Sequence, residues 1–491
     1  MQNSKSIKVN SILNIVKTIS SIIFPLITFP YTSRVLGPAN IGKVNFGNSF
    51  INYFSLLASL GISTYAIREC SAARKSKSNL SKTASELFSI NMCTTVIAYV
   101  LLGITLLFFR KLDSYRTIII IQSTAILFAT WGADWLNSAM EDFSYITIRT
   151  ISFQVISVIL LFLFVREADD YMKYVIISIV STSGANIANI YYRKRYCDVR
   201  FTLKMRLNIH LKPIMLLFVM LMAQTIFNSV DITMLGLIKG DVEVGLYSTA
   251  LKMKNIVVQV VASLCWVLMP RMSLYFAEDN WEKINEMLKK VLSVMVTIGF
   301  PSIAGCVILS KEIIVLIGGN KFIDASLPLI ILMLSFLVDI FGGSFLGNMV
   351  CLPGKRESVF MVACSVAAVV NVILNYLLIP IGGASAAAFT SGLSAVVILI
   401  WLLVKKDRRV KLDYVFEVCK APLIGSILIM VFCFIIKKLI ENSVLQIFVC
   451  LSGSVAIYGL IQIIMKNMLI TMMLGSIKEK FQKNFNIGRI K

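Results

Sequence analysis

Fourteen apolar stretches recur along this chain of 491 residues, and nothing else in the sequence restricts its fold as severely. They lie near residues 12–33, 44–65, 87–109, 117–137, 146–165, 173–192, 213–237, 246–270, 290–310, 326–350, 359–380, 384–404, 419–436 and 446–466. A run of roughly 18–25 such residues crosses the hydrocarbon core of a bilayer as a helix. Lipid offers no partner to a free backbone amide, so helices are the expected form. Composition agrees: 57% of residues are hydrophobic and 15% charged, with a mean hydropathy of +0.81, against about 25% charged in a soluble domain. The first run outlasts the apolar part of a secretory signal and ends in Pro30-Tyr31 and Arg34 without a small-residue cleavage pattern, so it is expected to remain as a span.

Orientation follows from lysine and arginine. With the N-terminus inside, the cytoplasmic segments carry 33 of the 48 basic residues and the outside loops 12. The other three, Lys17, Lys252 and Lys254, fall inside proposed helices. This excess places both termini in the cytoplasm. Much of the net charge of +22 is therefore topology signal, and nucleic acid is not an expected partner. Basic connections such as YYRKRYCDVR (191–200) suit anionic lipid headgroups instead.

Several chemistries fall away next. The ten cysteines are scattered and form no C-x-x-C pair, so neither a zinc site nor a disulfide framework is expected. His210, the single histidine, reads as a solvated residue at the start of a helix, so neither a histidine-based triad nor a multi-histidine metal site is expected within a single chain. No phosphate-binding loop of the G-x-x-x-x-G-K-[ST] type occurs. The expected outside loops are all short, and the nearest acidic group, Glu167, Asp169 and Asp170, reads as a solvated connection. No cofactor, no metal and no enzymatic activity are expected. Function must then lie among the helices, as in a transporter.

An internal repeat sharpens that reading. Gly37 and Gly42 in LGPANIGKVNF stand five apart, as do Gly240 and Gly245 in KGDVEVGLYST, 203 residues later. Both pairs fall in the first outside loop of an expected half, residues 1–212 and 213–404, each of six helices, with 405–491 adding helices 13 and 14 and a basic tail. Six is an even number, so the two lobes are expected to be related by a pseudo-twofold axis along the membrane normal.

The run FPYTSRVLGPANIGKVNFGNSFINYFSLLASLGISTYAIRECSAAR (29–74) resembles the start of the Wzx-type oligosaccharide flippases. These form the polysaccharide-transport branch of the multidrug/oligosaccharidyl-lipid/polysaccharide exporter superfamily. The resemblance rests on Arg34, Leu36, Gly37, Pro38 and Gly42, on Gly61, Ile62, Tyr65, Arg68 and Glu69, and on Gly245-Leu246-Tyr247 opening the eighth helix. It implies a flippase of the bacterial cytoplasmic membrane, acting by alternating access for surface polysaccharide assembly. The cargo would be a polyprenyl-diphosphate-linked glycan. A polysaccharide polymerase and chain-length machinery are implied partners, with membrane lipids as surroundings. Two alternatives stay open: an ion-coupled small-molecule or drug antiporter of the same superfamily, and an integral-membrane glycan polymerase.

A charge inside a membrane helix costs about 2.5–3.5 kcal/mol on the insertion scale, so such residues face a cavity or a partner. The cationic candidates for a diphosphate are Arg34, Lys254, Lys17, Lys252 and Lys43. Under the 203-residue offset Arg34 corresponds to Leu237 and Lys43 to Leu246, so the charges are not part of what repeats. Interface anchoring is the alternative for Arg34 and Lys43, and snorkelling for Lys17. The carboxylates expected to serve coupling or ion pairing are Asp231, Asp339 and Asp134. Asp231 and Lys252 could be level across a hairpin and neutralise each other. Asp134 is expected near the inner end, and Asp339 near mid-membrane. The tail 467–491 reads as a basic interfacial helix.

Overall fold

The computed structural model describes residues 7–469 and 471. Every regular element among them is helical. The helices are α1 (Ile7–Ser59), α2 (Ile62–Ala73), α3 (Lys77–Phe108), α4 (Arg116–Gly132), α5 (Trp135–Ala139), α6 (Phe143–Phe164), α7 (Tyr171–Tyr192), α8 (Leu207–Ile238) and α9 (Asp241–Ala277). They continue as α10 (Trp281–Ile308), α11 (Ser310–Gly318), α12 (Ser326–Asp339), α13 (Glu357–Lys405), α14 (Val415–Leu439) and α15 (Ser443–Ile464). All but the first few residues of the tail 467–491 lie outside the described residues.

Ten segments are long and apolar enough to cross a membrane, eleven with the bent pair Asp241–Ser263 and Leu268–Ala277. Two helices are too long for one crossing. At ~1.5 Å per residue, the 53 residues of α1 and the 49 of α13 measure about 80 and 73 Å, more than twice a ~30 Å hydrocarbon core. Each is broken midway by a glycine in a conformation no helix adopts: Gly37 (φ 75, ψ 173) in α1 and Gly383 (φ 53, ψ −132) in α13. Counting each as two helices gives thirteen. The 22 residues of α7, long enough but richer in serine and asparagine, supply a fourteenth candidate. The chain is an all-α, multi-pass membrane protein.

It divides into two compact units, one ending at Gly245 and one beginning at Leu246. In the first, α1 packs on α3, α4, α6 and α8, while α7 packs on α4 and α6. In the second, α13 packs on α12, α10 on α14 and α14 on α15.

Within the first unit the two glycine pairs form one construction. Gly37 and Gly240 both hold positive φ, 75° and 91°, in the left-handed region that glycine enters at no steric cost. Five residues on, the backbones cross. A Cβ on Gly42 would overlap the Asp241 carbonyl oxygen, and one on Gly245 would overlap the Pro38 carbonyl oxygen. Each second glycine thus makes room for the other turn.

Candidate functional site

The first unit contains a polar cavity of about 330 Å³. Ser55, Ser59 and Ser63 line it from the first two helices, Asn91 from α3, Thr130, Asp134 and Trp135 from α4 and beyond, Arg149 and Thr150 from α6, and Ser181, Thr182 and Asn186 from α7. Hydroxyls and amides dominate a space that neighbouring apolar helices could otherwise close with aliphatic packing. The volume is near the lower end of the roughly 300–1,000 Å³ typical of ligand sites.

Arg149 is the strongest charge in this cavity, and the sequence around it explains its position. In DFSYITIR, Asp142 caps α6, accepting from the Tyr145 backbone N–H at 3.2 Å. Its carboxylate also accepts from the Tyr196 hydroxyl at 2.6 Å and the Tyr192 hydroxyl at 2.8 Å. Burial opposes the charged form of Asp142, yet these hydrogen bonds outweigh it and hold the carboxyl below its ordinary value. Tyr145 stacks on Tyr192 with ring centroids 3.4 Å apart. One helical turn later the Arg149 guanidinium sits over the Tyr145 ring, 5.0 Å from its centroid. A chain of aromatic contacts therefore fixes the arginine from the loop side.

Asp134 fixes it from the other side, accepting from Arg149 Nη2. The aspartate follows Ala133, which is fully buried with a positive φ of 47°, a strained state for alanine. Asn137 supports the aspartate weakly, donating at 3.4 Å. The Arg149 side chain is only 4% exposed, and its Nε and Nη1 find no hydrogen-bond partner among the described residues. The indole N–H of Trp135 is likewise buried and unpartnered among the described residues. Leaving a buried donor unsatisfied costs about 1–3 kcal/mol, more when it is charged. Such a site is poised for an acceptor-rich anion.

The sequence-based candidates are distributed differently. Of them, Asp134 joins the cavity. Arg34 is exposed beside the Gly37 break, and half-buried Lys43 lies over the Tyr171 ring at 5.5 Å. Asp231 is buried in α8 at 4% exposure. Lys252 and Lys254 are half-buried in the part of α9 belonging to the second unit. Asp339 ends α12, where the helix widens to i→i+5 hydrogen bonding over Ile340–Cys351 and Ser344 Oγ donates back to Asp339 Oδ2 at 2.9 Å. Wide turns of this type concentrate at functional positions. The Lys17 side chain lies outside the described residues.

His210 differs from its expected role as a solvated loop residue. It is 2% exposed, with Nδ1 2.9 Å from the Tyr65 hydroxyl and Nε2 3.0 Å from Glu86 Oε2. Arg206 Nε donates to both oxygens of the same glutamate at 3.0–3.1 Å. The reason is α2: its apolar face, Ile62, Tyr65, Ala66 and Cys70, is buried and carries Tyr65 onto the start of α8.

Known proteins place this architecture. The family described as "Polysaccharide biosynthesis protein" matches residues 7–276, and the one described as MatE matches residues 217–377. A protein of Escherichia coli (strain K12) described as "Putative O-antigen transporter" is 22% identical over 302 residues, 60% of this chain and 72% of that protein. One of Shigella dysenteriae with the same description is 24% identical over 254 residues, 51% and 63% of the two lengths. Among solved structures, "Lipid II flippase MurJ, inward closed conformation" superposes with a TM-score of 0.73 at 15% identity, covering 95% of this chain and 99% of that one. An inward-facing multidrug resistance MATE family transporter of the MOP superfamily gives 0.59 at 14% identity, over 79% and 94%. At these identities the structural likeness speaks for the fold. With more than half of its length matched, the chain belongs to the family described as polysaccharide biosynthesis proteins.

Proposed function

We propose that this protein is a flippase that moves a polyprenyl-diphosphate-linked oligosaccharide repeat unit across the bacterial cytoplasmic membrane by alternating access. The observation that carries the reading is Arg149: a buried guanidinium with two nitrogens unpartnered among the described residues, in a cavity lined by hydroxyls and amides. A diphosphate supplies the acceptors that the guanidinium fork lacks. Serine, threonine and asparagine side chains suit the hydroxyls of the first sugar, and the volume fits a headgroup rather than a whole repeat unit. Asp134 holds the arginine in the empty state and competes with the phosphate for it. The cavity lies at the end of its unit that carries the connections 60–76, 133–142 and 193–206, the end that the lysine and arginine bias assigns to the cytoplasm, where such a cargo is made.

In this reading no bond of the cargo changes. The lobes that alternate are residues 1–212 and 213–404, with helices 13 and 14 appended. Arg34, Lys43, Lys17, Lys252 and Lys254 are further cationic contacts along the route, and Asp231 and Asp339 couple the cycle to an ion. A polymerase and chain-length machinery act on the delivered repeat unit at the outer face.

Depleting the protein should accumulate the lipid-linked repeat unit on the cytoplasmic leaflet and abolish the surface glycan. Arg149→Ala, once shown to insert, should reproduce that accumulation, and Arg149→Lys, a point charge without the fork, should restore only part of the export. Unchanged surface glycan on depletion would refute the function; normal export by Arg149→Ala would refute the site alone. A second reading, an ion-coupled small-molecule antiporter, is favoured by the MatE match at residues 217–377. It predicts drug efflux that depends on an ion gradient and survives Arg149→Ala.

A further inference from the structure

The second unit holds another cavity, of about 360 Å³, lined by none of the residues assigned above to the cargo. Its walls are the end of α9 at Phe276, Trp281 at the start of α10, the turn Pro353–Arg356 and the connection through Asp407 and Arg409. Three helix connections meet here, and each contributes charge. Arg409 is fully engaged. Its Nε and Nη2 donate to the Asp407 carboxylate at 3.2 and 3.1 Å, and Nη1 donates to Asp279 Oδ1 at 3.3 Å. Its guanidinium also covers the Trp281 ring at 4.0 Å. The Trp281 indole N–H donates to Asp279 at 2.6 Å. Both carboxylates are thus tied to one arginine and one indole, which makes a stiff wall.

Two cations remain. Arg356 uses Nη2 for the Lys405 carbonyl oxygen, at 2.6 Å. Lys355 is exposed, and its ammonium has no hydrogen bond or ion pair among the described residues. Lys355 also holds a positive φ of 55°, although glycine or asparagine takes such a position more cheaply. A long cationic side chain at a strained turn, beside an arginine in a cavity also lined by Phe276 and Trp281, has the composition of a phosphate-binding pocket. Basic pockets between membrane helices take lipid headgroups in this way, and indoles favour the same interfacial depth.

We propose that this cavity binds a phosphate-bearing headgroup, with Lys355 and Arg356 as its counter-charges and the Trp281–Arg409 pair as its rigid flank. The phosphate could belong to an anionic phospholipid or to free inorganic phosphate, and the two are separable. The full-length protein, purified in a neutral detergent, is given phosphatidylglycerol, phosphatidylcholine or inorganic phosphate. Thermal midpoint and lipid retained in native mass spectrometry are then measured. Phosphatidylglycerol should be retained and raise the midpoint, phosphatidylcholine should not, and Lys355→Asn with Arg356→Gln should weaken retention at least tenfold. A midpoint shift by inorganic phosphate that lipid does not exceed, lost in the same variant, assigns the site to free phosphate. Lys355→Asn alone, which tolerates the backbone conformation and leaves the Lys405 contact intact, covers the case in which the double variant fails to fold. Retention of phosphatidylglycerol by both variants equal to that of the unchanged protein, or no response to either phosphate source, overturns the proposal.

Discussion

The turns at Gly37–Gly42 and Gly240–Gly245 have the same backbone and different side chains. Both begin with a glycine at positive φ and place a second glycine against the other turn's carbonyl. Their surroundings diverge from there. The first turn is anchored by Asn40 Nδ2, which donates to the Ala168 carbonyl at 2.8 Å, and it is flanked by exposed Arg34 and by Lys43 over Tyr171. The second is anchored by Asp241, which accepts from the Tyr115 hydroxyl, and the positions matching Arg34 and Lys43 are Leu237 and buried Leu246. Shared backbone beside unshared charge separates what builds the crossing from what the first turn carries alone.

The sharpest way to break this comparison is to fill the crossing. Gly42→Ala and Gly245→Ala each drive a methyl into a backbone carbonyl that no rotamer change can move. Overpacking of that kind costs about 3 kcal/mol or more. Both variants should lose most of their folded, detergent-stable material in a thermal unfolding assay. Gly103→Ala in α3, where a Cβ meets nothing within 4 Å, should leave the midpoint in place or raise it slightly, since alanine is the better helix former by up to about 1 kcal/mol. A tolerated alanine at one crossing glycine and not the other would end the claim of equivalence.

The side chains are tested by function rather than stability. Arg34→Gln with Lys43→Gln should lower export of the lipid-linked glycan about tenfold while the unfolding midpoint shifts little, since an exposed charge and a single cation–π contact each contribute about 1 kcal/mol or less. Leu237→Gln, the matching change in the second turn, should leave export intact. Normal export by the double variant would assign Arg34 and Lys43 to interface anchoring.

What could be read from the sequence, and what could not, divides along the same line. Hydrophobic runs and glycine spacing report backbone requirements that act locally, so the spans and the paired turns were legible. Arg149 stands at the start of the apolar run near 146–165, and the count of basic residues leaves it among the connections rather than inside a helix. Only the fold shows it two turns inside α6, with Asp134 fifteen residues earlier brought against it. The available signal was an arginine amid isoleucines with an acid upstream, and no local rule pairs those two. His210 escaped for a similar reason: Tyr65 and Glu86, its partners, are 145 and 124 residues away.

A smaller effect tests the first glycine of each pair. Gly37→Ala and Gly240→Ala meet no neighbour but must hold positive φ, at a cost of about 1–2 kcal/mol. Asparagine at either position should recover part of that loss. Equal midpoint shifts at the two turns would sharpen the equivalence of their backbones, and a shift at only one would show that the other turn relaxes to negative φ.

The smallest expected effect concerns the connection that anchors the first turn. Asp170 accepts from the Arg166 and Glu167 backbone N–H groups at 2.8 and 3.1 Å and pairs with Lys173 at 2.6 Å. Lys173 first, then those two amides, lower its carboxyl from an ordinary 3.8 to about 2. A depressed value means that the folded connection binds its proton less readily than the unfolded one. The stabilisation is therefore complete above pH about 4 and is lost as pH falls through about 2. Hydrogen exchange at Arg166 and Glu167, normalised to intrinsic rates, should show constant protection from pH 7 to 4 and a decline only below that. Asp170→Asn should remove most of this protection at every pH, while Asp241→Asn, acting at the second turn, should leave it untouched. Loss of Arg166 protection in Asp241→Asn would mean that the two turns are held by one shared anchor, and the contrast between them would then stop at their charges.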